Sequence, residues 1–337
     1  MVKVGINGFG RIGRAYFRIA AGEPNIEIVA VNDIQQSPRQ AAYLLKYDSV
    51  YGRFDAEVSH NDDGLVVDGD VFPILSVSDP TELPWKDLGV DVALEATGVF
   101  RQYDEAEKHL KAGAKKVLVS APPKGDRKEE IPQLVWKVNE DVYDKDKHDI
   151  VAGASCTTNS IAPVAQLLHE EYGIESALFT TIHSYTSTQS IVDGPYSWNK
   201  ASRGRAAAEN IVPTTTGAAT AVIEVIPDLE GRINGMAMRV PTPAGSVTDV
   251  VAKLERNTKV EELNGKVKEY AEGKMKGALD YTEDPIVSRD ILGPYSSYVG
   301  LSSTDVIHGD LVKLLAFYDN EWGYTSQIID LTEYIVQ

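Results

Sequence analysis

Residues Val2–Gly13 read VKVGINGFGRIG, and this stretch decides the fold of the first half of the chain. It begins with an apolar run typical of a buried β-strand and continues into a G-x-G-x-x-G pattern at Gly8–Gly13, with helical spacing over Arg11–Ala21. Such a turn brings backbone N–H groups at a helix N-terminus close to a pyrophosphate, which makes it the dinucleotide-binding fingerprint. The alternative is an ordinary glycine-rich turn between a strand and a helix, with no ligand, and the pattern alone does not exclude it.

The support is an acidic residue at the expected distance. Asp33 lies 20 residues beyond Gly13, after the strand candidate Glu27–Val31. A carboxylate there accepts hydrogen bonds from the adenosine ribose and repels a 2′-phosphate, which favours NAD over NADP. We expect Gly8 to form the tight turn, Gly10 to let the pyrophosphate approach, and Gly13 to let the helix pack on the strand. The alternative for Asp33 is a solvated carboxylate at a strand end.

The first half alternates short apolar strands with helices, which predicts an α/β, Rossmann-type doubly wound parallel sheet. The strand candidates are Val2–Asn7, Glu27–Val31, Val90–Ala96, Val117–Ser120 and Ile150–Ala152; the helix candidates are Arg11–Ala21, Gln40–Lys46 and Tyr103–Ala112, with a hairpin over Asn61–Phe72. The second half has longer strands and fewer crossovers, which predicts an α+β domain with a largely antiparallel sheet. Its strand candidates are Ser176–Ile182, Arg232–Arg239, Ser246–Leu254 and Leu311–Asp319; its helix candidates are Thr157–Tyr172, Gly217–Ile226 and Val260–Glu272.

These patterns divide the 337 residues into two predicted domains. Residues 1–155 form an NAD-binding domain, completed by a C-terminal helix within residues 320–337, and residues 156–319 form a catalytic domain.

Composition excludes several classes of protein. The net charge of −17 disfavours nucleic-acid surfaces and anionic membranes. The single cysteine, Cys156, excludes an intramolecular disulfide and a cysteine-based zinc site, and nothing in the sequence suggests another metal. Because there is no signal peptide and no apolar run of membrane-spanning length, we expect a cytoplasmic protein with a reduced thiol.

Residues 150–159 read IVAGASCTTN and suggest a nucleophile. A strand ends here and a helix begins with Cys156 in its first turn, where the helix dipole is expected to lower the thiol pKa. The alternative is a small buried apolar side chain. His183 ends an apolar strand and is a candidate general base, although alone it could be an ordinary core histidine.

Four of the other five histidines have simpler explanations. His109 and His169 are expected on polar helix faces, and His60 and His148 in polar loops.

A hydroxyl-rich helix start suggests an anion site. Thr214–Ala219 reads TTTGAA, and consecutive hydroxyl and backbone N–H groups there can bind phosphate, although helix capping alone explains the same residues. Arg203, Arg205 and Arg239 follow or precede hydroxyl-rich turns, and arginine binds phosphate with two parallel hydrogen bonds.

Together these motifs resemble phosphorylating glyceraldehyde-3-phosphate dehydrogenase of type I, almost from end to end. The resemblance is carried by Val4–Arg14, Glu95–Gly98, Ser155–Asn159, Thr181–Thr186, Arg239–Pro243 and Tyr318–Tyr324. It implies oxidation of glyceraldehyde 3-phosphate to 1,3-bisphosphoglycerate in glycolysis and gluconeogenesis, with NAD and inorganic phosphate, by a cytoplasmic homotetramer that uses neither nucleic acid nor membranes.

The resemblance also implies roles for individual residues. Cys156 would be the nucleophile and His183 the base that raises its thiolate character. The residues implied to bind NAD are Gly8, Gly10, Arg11, Ile12, Gly13, Asp33, Thr97, Ser120, Asn320 and Tyr324. Inorganic phosphate would be held by Ser155, Thr157, Thr216 and Gly217, and the substrate phosphate by Thr186 and Arg239. Which of Arg203 and Arg205 contacts phosphate stays open, because Tyr196–Ser202 departs from the family's usual pattern.

Two other functions remain possible at this point. Erythrose-4-phosphate dehydrogenase shares the cysteine and the histidine but hydrolyses its acyl-enzyme, and the intact Thr214–Gly217 run favours phosphate as acceptor instead. A catalytically idle NAD-binding module would be favoured by the loss of Cys156 or His183, and both are present.

Overall fold

The computed structural model describes all 337 residues, which form two compact units. The first unit contains Met1–Leu134, Glu140–Ala154 and Thr325–Gln337; the second contains Val135–Asn139 and Ser155–Tyr324.

The first unit is built on an eight-stranded sheet in the order β10-β9-β8-β1-β2-β7-β6-β5. Its strands, with the separate β3–β4 ribbon, are β1 (Val2–Asn7), β2 (Ile26–Asn32), β3 (Tyr47–Asp48), β4 (Gly52–Arg53), β5 (Val58–His60), β6 (Gly64–Val67), β7 (Asp70–Leu75), β8 (Val92–Glu95), β9 (Lys116–Val119) and β10 (Ile150–Ala152). The strands from β10 to β7 pair in parallel, so the predicted doubly wound sheet is confirmed. The predicted hairpin is also present, and β7 extends beyond it to pair with β2.

The helices of the first unit begin and end at recognisable signals. They are α1 (Arg11–Ala20), α2 (Pro38–Lys46), α3 (Trp85–Leu88) and α4 (Tyr103–Lys111). Ser37 and Gln40 form a capping box before α2, so this helix starts two residues earlier than expected. After α4 the chain turns at Gly113, whose φ of 105° suits glycine.

The second unit contains a sheet in the order β12-β13-β11-β14-β18-β16-β15, with β17 paired to β18. The strands are β11 (Ile174–Ser184), β12 (Val212–Thr214), β13 (Ile233–Val240), β14 (Ser246–Leu254), β15 (Asp280–Thr282), β16 (Tyr298–Gly300), β17 (Asp305–Ile307) and β18 (Leu311–Tyr318). The largely antiparallel sheet is confirmed, but two pairs are parallel: β11 with β13, and β15 with β16.

Three helices belong to the second unit: α5 (Cys156–Tyr172), α6 (Ala218–Val225) and α7 (Val260–Glu272). Their apolar side chains form one buried cluster with those of the sheet, including Leu168, Phe179, Val222 and Leu263. Burial of this apolar area is the main force that holds the long strands against the helices.

The last helix, α8 (Trp322–Tyr334), lies within the predicted segment 320–337. Its residues from Thr325 onward belong to the first unit, where the Tyr16 hydroxyl donates to Thr332 Oγ1 at 3.0 Å. None of the helices has the length and the apolar composition that a membrane span requires.

Candidate active site

The glycine-rich turn has the close approaches that its sequence predicts. Gly8 has a φ of 97°, and a Cβ at this position would lie 2.7 Å from the backbone nitrogen of Thr97. A Cβ at Gly13 would lie 2.1 Å from the carbonyl oxygen of Gly8, so only glycine lets α1 pack here. A Cβ at Gly10 would meet nothing within 4 Å. The turn therefore leaves open space over Gly10, at the start of a helix with no side-chain cap, and these features fit a pyrophosphate.

The Asp33 side chain lies against the glycine-rich turn. Its carboxylate accepts hydrogen bonds from the backbone N–H of Phe9 at 2.8 Å and from Gln36 Nε2 at 3.0 Å. Gln36 also donates to the carbonyl of Phe9. The sequence analysis did not single out Gln36, whose only signal was its place three residues after Asp33.

Two further residues expected to bind NAD lie on α1. Arg11 is paired with Asp48, and its guanidinium also lies over the Tyr51 ring, 5.6 Å from the centroid. Ile12 is partly buried beside it.

Cys156 and His183 come together in the second unit. Cys156 is the first residue of α5, after the N-cap Ser155, whose hydroxyl accepts from the backbone N–H of Thr158 at 3.0 Å. The Cys156 Sγ lies 3.4 Å from Nε2 of His183, which is almost fully buried near the end of β11. A nucleophile and a base within hydrogen-bond reach form the minimal unit for covalent catalysis.

The Nδ1 atom of His183 has two close polar neighbours. It lies 2.7 Å from the carbonyl oxygen of Ser184, which can only accept, and this shorter contact favours a hydrogen on Nδ1. The lone pair of Nε2 then faces the Cys156 thiol. A third group, the Arg239 guanidinium, donates to the same carbonyl at 2.9 Å and lies 2.9 Å from Nδ1.

The expected lowering of the Cys156 thiol pKa is not supported by the surroundings of the thiol. Burial raises the pKa of the Cys156 thiol, an effect that outweighs the lowering by Arg239. Burial and the Arg239 charge together lower the pKa of His183 to about 3. The prediction of a lowered thiol pKa was therefore wrong in sign, because burial outweighs the Arg239 charge and the hydrogen bonds to Thr157, which favour the thiolate.

Tyr318 is a site residue without a role in the sequence analysis. Its buried hydroxyl lies 2.7 Å from Thr181 Oγ1 and 3.0 Å from Thr157 Oγ1, and its ring meets His183 edge-on with centroids 5.8 Å apart. It therefore ties the first turn of α5 to the strand that carries the base. Its only sequence signal was its place in a family motif.

The candidate phosphate residues occupy two kinds of environment. Thr216 Oγ1 accepts from the backbone N–H of Ala218, and a Cβ at the exposed Gly217 would meet nothing within 4 Å. Thr186 is partly exposed, with its hydroxyl 2.9 Å from that of Thr188. By contrast, the hydroxyl of Thr157 is buried against Tyr318.

The two arginines that the sequence could not separate differ in their surroundings. Arg203 Nε donates to Thr214 Oγ1 at 3.0 Å, and its Nη2 reaches the carbonyl of Thr215 at 3.4 Å. Its positive charge also contributes to the low pKa of His183. Arg205 instead forms an exposed ion pair with Asp193 at 2.9 Å. Arg203 thus lies beside the threonine turn, and Arg205 is engaged elsewhere.

Arg239 has a buried nitrogen without a partner. Its Nη1 is engaged by Ser184 and His183, whereas Nε has no hydrogen-bond acceptor although it is buried. An unsatisfied cationic donor beside the reactive pair fits an anionic group of a substrate.

The other predicted NAD residues are placed as follows. Thr97 lies after β8 and Ser120 after β9, and both are bound to Glu95. In the second unit, the side-chain oxygen of the buried Asn320 accepts from Ser246 Oγ at 3.0 Å and from the N–H of Gly245 at 3.1 Å. Tyr324 is buried in the first turn of α8.

Two histidine predictions were wrong. His109 does not lie on a polar face; it is fully buried and bound to Glu95 and Trp85. His60 lies at the end of strand β5 rather than in a loop, although its side chain is exposed. No group of three or more His, Cys, Asp and Glu side chains is arranged to hold a metal ion.

Comparison with known families agrees with these two groups of residues. A family model described as "Glyceraldehyde 3-phosphate dehydrogenase, NAD binding domain" matches residues 2–103, and one described as the C-terminal domain of the same family matches residues 155–320. The chain belongs to the glyceraldehyde-3-phosphate dehydrogenase family. It is an NAD-dependent oxidoreductase, and the matched N-terminal residues include the glycine-rich turn, Asp33 and Thr97.

Similarity to individual family members extends over the whole chain. A glyceraldehyde-3-phosphate dehydrogenase of Geobacillus stearothermophilus is 53% identical over 335 residues, covering 99% of this chain and 98% of that protein. The protein of the same name from Haloarcula vallismortis is 50% identical, covering 100% of this chain and 98% of its own. Glyceraldehyde-3-phosphate dehydrogenase 1 of Bacillus subtilis is 49% identical with the same coverage.

Proposed function

We propose that the chain performs its family's reaction on Cys156 and His183: the NAD-dependent oxidation of glyceraldehyde 3-phosphate to 1,3-bisphosphoglycerate, with inorganic phosphate as acceptor. The observation that carries the residue assignment is the 3.4 Å approach of Cys156 Sγ to His183 Nε2, in a ring whose Nδ1 faces the Ser184 carbonyl oxygen at 2.7 Å, the contact that favours a hydrogen on Nδ1. This tautomer leaves the lone pair on the nitrogen that faces the thiol.

The first step is addition of the thiol to the aldehyde. Cys156 Sγ forms a bond to the aldehyde carbon, while its proton passes through His183 Nε2 to the aldehyde oxygen, giving a thiohemiacetal. The backbone N–H of Cys156, in the first turn of α5, is free of intrahelical partners and can stabilise the developing oxyanion.

The second step is oxidation. NAD, when bound, supplies a hydride acceptor at nicotinamide C4. His183 removes the hydroxyl proton as the hydride leaves the thiohemiacetal carbon, and the product is a thioester on Cys156. Asn320 is proposed to bind the nicotinamide amide through its side-chain nitrogen, because its oxygen is already engaged by Gly245 and Ser246.

Protonation of His183 in this step is assisted by the substrate. The Arg239 cation, 2.9 Å from Nδ1, opposes a charged imidazole. A substrate phosphate bound at the unsatisfied Nε of Arg239, with Thr186, would offset that charge and raise the pKa of His183. The base therefore gains proton affinity when the substrate is present.

The third step is transfer to phosphate. A phosphate oxygen attacks the thioester carbon, the C–S bond breaks, and the sulfur recovers a proton from His183. Ser155, Thr216 and Gly217 are proposed to hold this phosphate, and Arg203 is preferred to Arg205 because it lies against the Thr214–Thr215 turn. Thr157 contributes through its backbone, since its hydroxyl is bound to Tyr318.

The erythrose 4-phosphate alternative has no observation in its favour. It requires water as the acceptor, and the contact of Arg203 with the threonine turn supports phosphate binding there instead.

We further propose a homotetramer that acts in glycolysis and gluconeogenesis. Exposed apolar side chains in the second unit support self-association, among them Leu178, Ile191, Val192 and Trp198, which are 66–93% exposed. The net charge of −17 argues against nucleic-acid and membrane partners. The cytoplasmic location stays a prediction.

The test follows NADH formation from glyceraldehyde 3-phosphate and NAD, with and without inorganic phosphate. We expect strong phosphate dependence and a large loss of activity in His183→Asn, which removes the base but keeps a polar side chain. Turnover that ignores phosphate would show that water is the acceptor. Full activity of His183→Asn would show that the Cys156–His183 contact has no chemical role.

A further inference from the structure

A buried polar cluster in the first unit has no part in the steps above. We call it the Glu95 cluster, and it consists of Asn7, Trp85, Glu95, Thr97 and His109. Glu95 and Asn7 are only 1% and 2% exposed, and His109 and Trp85 are fully buried. A carboxylate is expensive to bury unless several donors surround it, so this placement requires a reason.

Hydrogen bonds fix the protonation of His109. The indole N–H of Trp85 lies 3.0 Å from His109 Nδ1, and an indole nitrogen can only donate. Nδ1 is therefore an acceptor without a hydrogen. The hydrogen of the neutral ring must lie on Nε2, which is 3.2 Å from Glu95 Oε2. His109 is a directed donor to the carboxylate, with its tautomer set by Trp85.

Four donors converge on the Glu95 carboxylate. Asn7 Nδ2 donates to Oε2 at 2.6 Å, beside the His109 ring. The other oxygen, Oε1, accepts from the backbone N–H of Thr97 at 2.9 Å and from the Thr97 hydroxyl. Asn7 is itself fixed, because its side-chain oxygen accepts from Asn32 at 2.7 Å. One side of the carboxylate is anchored by the sheet and α4, and the other side holds Thr97.

The residues that Glu95 holds are those assigned to the cofactor. Thr97 Oγ1 also accepts from the backbone N–H of Val99, so one carboxylate determines the turn from Glu95 to Val99. The main-chain carbonyl of Glu95 accepts from both the N–H and the hydroxyl of Ser120. The backbone of Thr97 in turn packs against Gly8.

We propose that Glu95 and His109 are positioning residues for NAD, which act through Thr97. The neutral His109 holds the buried carboxylate in one orientation, and the carboxylate sets the backbone of the Thr97 turn against the glycine-rich turn. The inference rests on the proposed assignment of Thr97 to the cofactor site. Neither residue takes part in the chemistry on Cys156.

The test measures NAD affinity directly, by calorimetric titration of the full chain. Glu95→Gln keeps the shape but removes the charge and two acceptor positions, and we expect its Kd for NAD to rise about 10- to 100-fold. His109→Leu should behave similarly. His109→Gln keeps a side-chain N–H and should recover part of the affinity. KM for NAD should rise in parallel, with KM for the aldehyde unchanged.

Two controls separate positioning from loss of stability. Leu45→Ala removes a fully buried side chain of α2 away from the cluster, and it should lower the melting temperature without changing the Kd for NAD. The rate of Cys156 alkylation without NAD should match the unsubstituted protein in all cluster variants, because the thiol lies in the other unit. A Glu95→Gln or His109→Leu protein that binds NAD normally would overturn the proposal.

A double-mutant cycle tests the route through Thr97. Thr97→Val removes the hydroxyl bound by Glu95 and should weaken NAD binding by itself. In that background Glu95→Gln should have a smaller effect than in the unsubstituted chain. Fully additive effects would show that Glu95 does not act through Thr97. An unchanged Kd in Thr97→Val alone would instead refute the assignment of Thr97 to the cofactor site.

Discussion

Replacement of Arg203 by alanine provides a sharp test of the phosphate site, because Arg205 is a matched control. The two arginines are separated by one residue, yet Arg203 donates to Thr214 and reaches the carbonyl of Thr215, whereas Arg205 is paired with Asp193. Both variants lose the same charge and the same volume from the same loop. Only the contact with the threonine turn differs.

The expected magnitude follows from this difference. A hydrogen bond to a charged group contributes about 1.5–3 kcal/mol, so loss of Arg203 should raise KM for inorganic phosphate about 10- to 150-fold. The exposed pair of Arg205 contributes at most about 1 kcal/mol, and its loss should change that KM less than about fivefold. Arg203→Lys keeps the charge but not the planar guanidinium, and its KM for inorganic phosphate should lie between those of the two alanine variants.

The assay varies inorganic phosphate at saturating aldehyde and NAD and follows the initial rate of NADH formation. KM for NAD should be the same in all three variants, which shows that the loop has not disturbed the first unit. If Arg205→Ala raises KM for phosphate more than Arg203→Ala does, the assignment from the hydrogen bonds is wrong.

Four other predictions concern the Cys156–His183 pair and the cofactor. Cys156→Ala should abolish acyl transfer while the calorimetric Kd for NAD stays within about twofold; retained turnover would refute the covalent route. Because burial raises the pKa of the Cys156 thiol and that of His183 falls to about 3, the rate of Cys156 alkylation in the free enzyme should rise with pH only above the ordinary thiol range, without an acid step near the usual histidine pKa. Arg239→Gln should shift that rise to still higher pH, since Arg239 favours the thiolate; a shift to lower pH would contradict this reasoning. Asp33→Ala should increase kcat/KM for NADP relative to NAD, and an unchanged ratio would mean that Asp33 does not select the cofactor.

The glycine-rich turn was predictable from sequence because its demands are local and steric. Gly8 and Gly13 lie only five residues apart, in the turn between β1 and the start of α1, and neither position has space for a Cβ. Strand and helix alternation likewise predicted the parallel sheet, since a crossover helix between parallel strands leaves a periodic pattern. Helical spacing in the second half likewise predicted α7 with its observed bounds, Val260–Glu272.

The electrostatics of the site were not predictable in the same way. The position of Cys156 at the start of α5 depends on neighbouring residues and was predicted. Its burial depends on residues that are distant in the sequence, so it was not. The burial of His109 was missed for a related reason. A single polar residue on a short helix does not indicate that Trp85 and Glu95 will form hydrogen bonds with it in the folded protein. The sign of a pKa shift depends on such partners, and the helix dipole is only one contribution.

The parallel pairing of β11 with β13 shows why the exception to a predicted pattern matters. Antiparallel neighbours would place the ends of these two strands at opposite edges of the sheet. The parallel register instead sets His183 directly beside Arg239, and β14 pairs antiparallel on the other side of β11. The base and the unsatisfied guanidinium therefore reach the same edge, where Cys156 Sγ lies 3.4 Å from the imidazole. A sheet without that parallel pair could have the same residues without the Arg239 guanidinium beside His183.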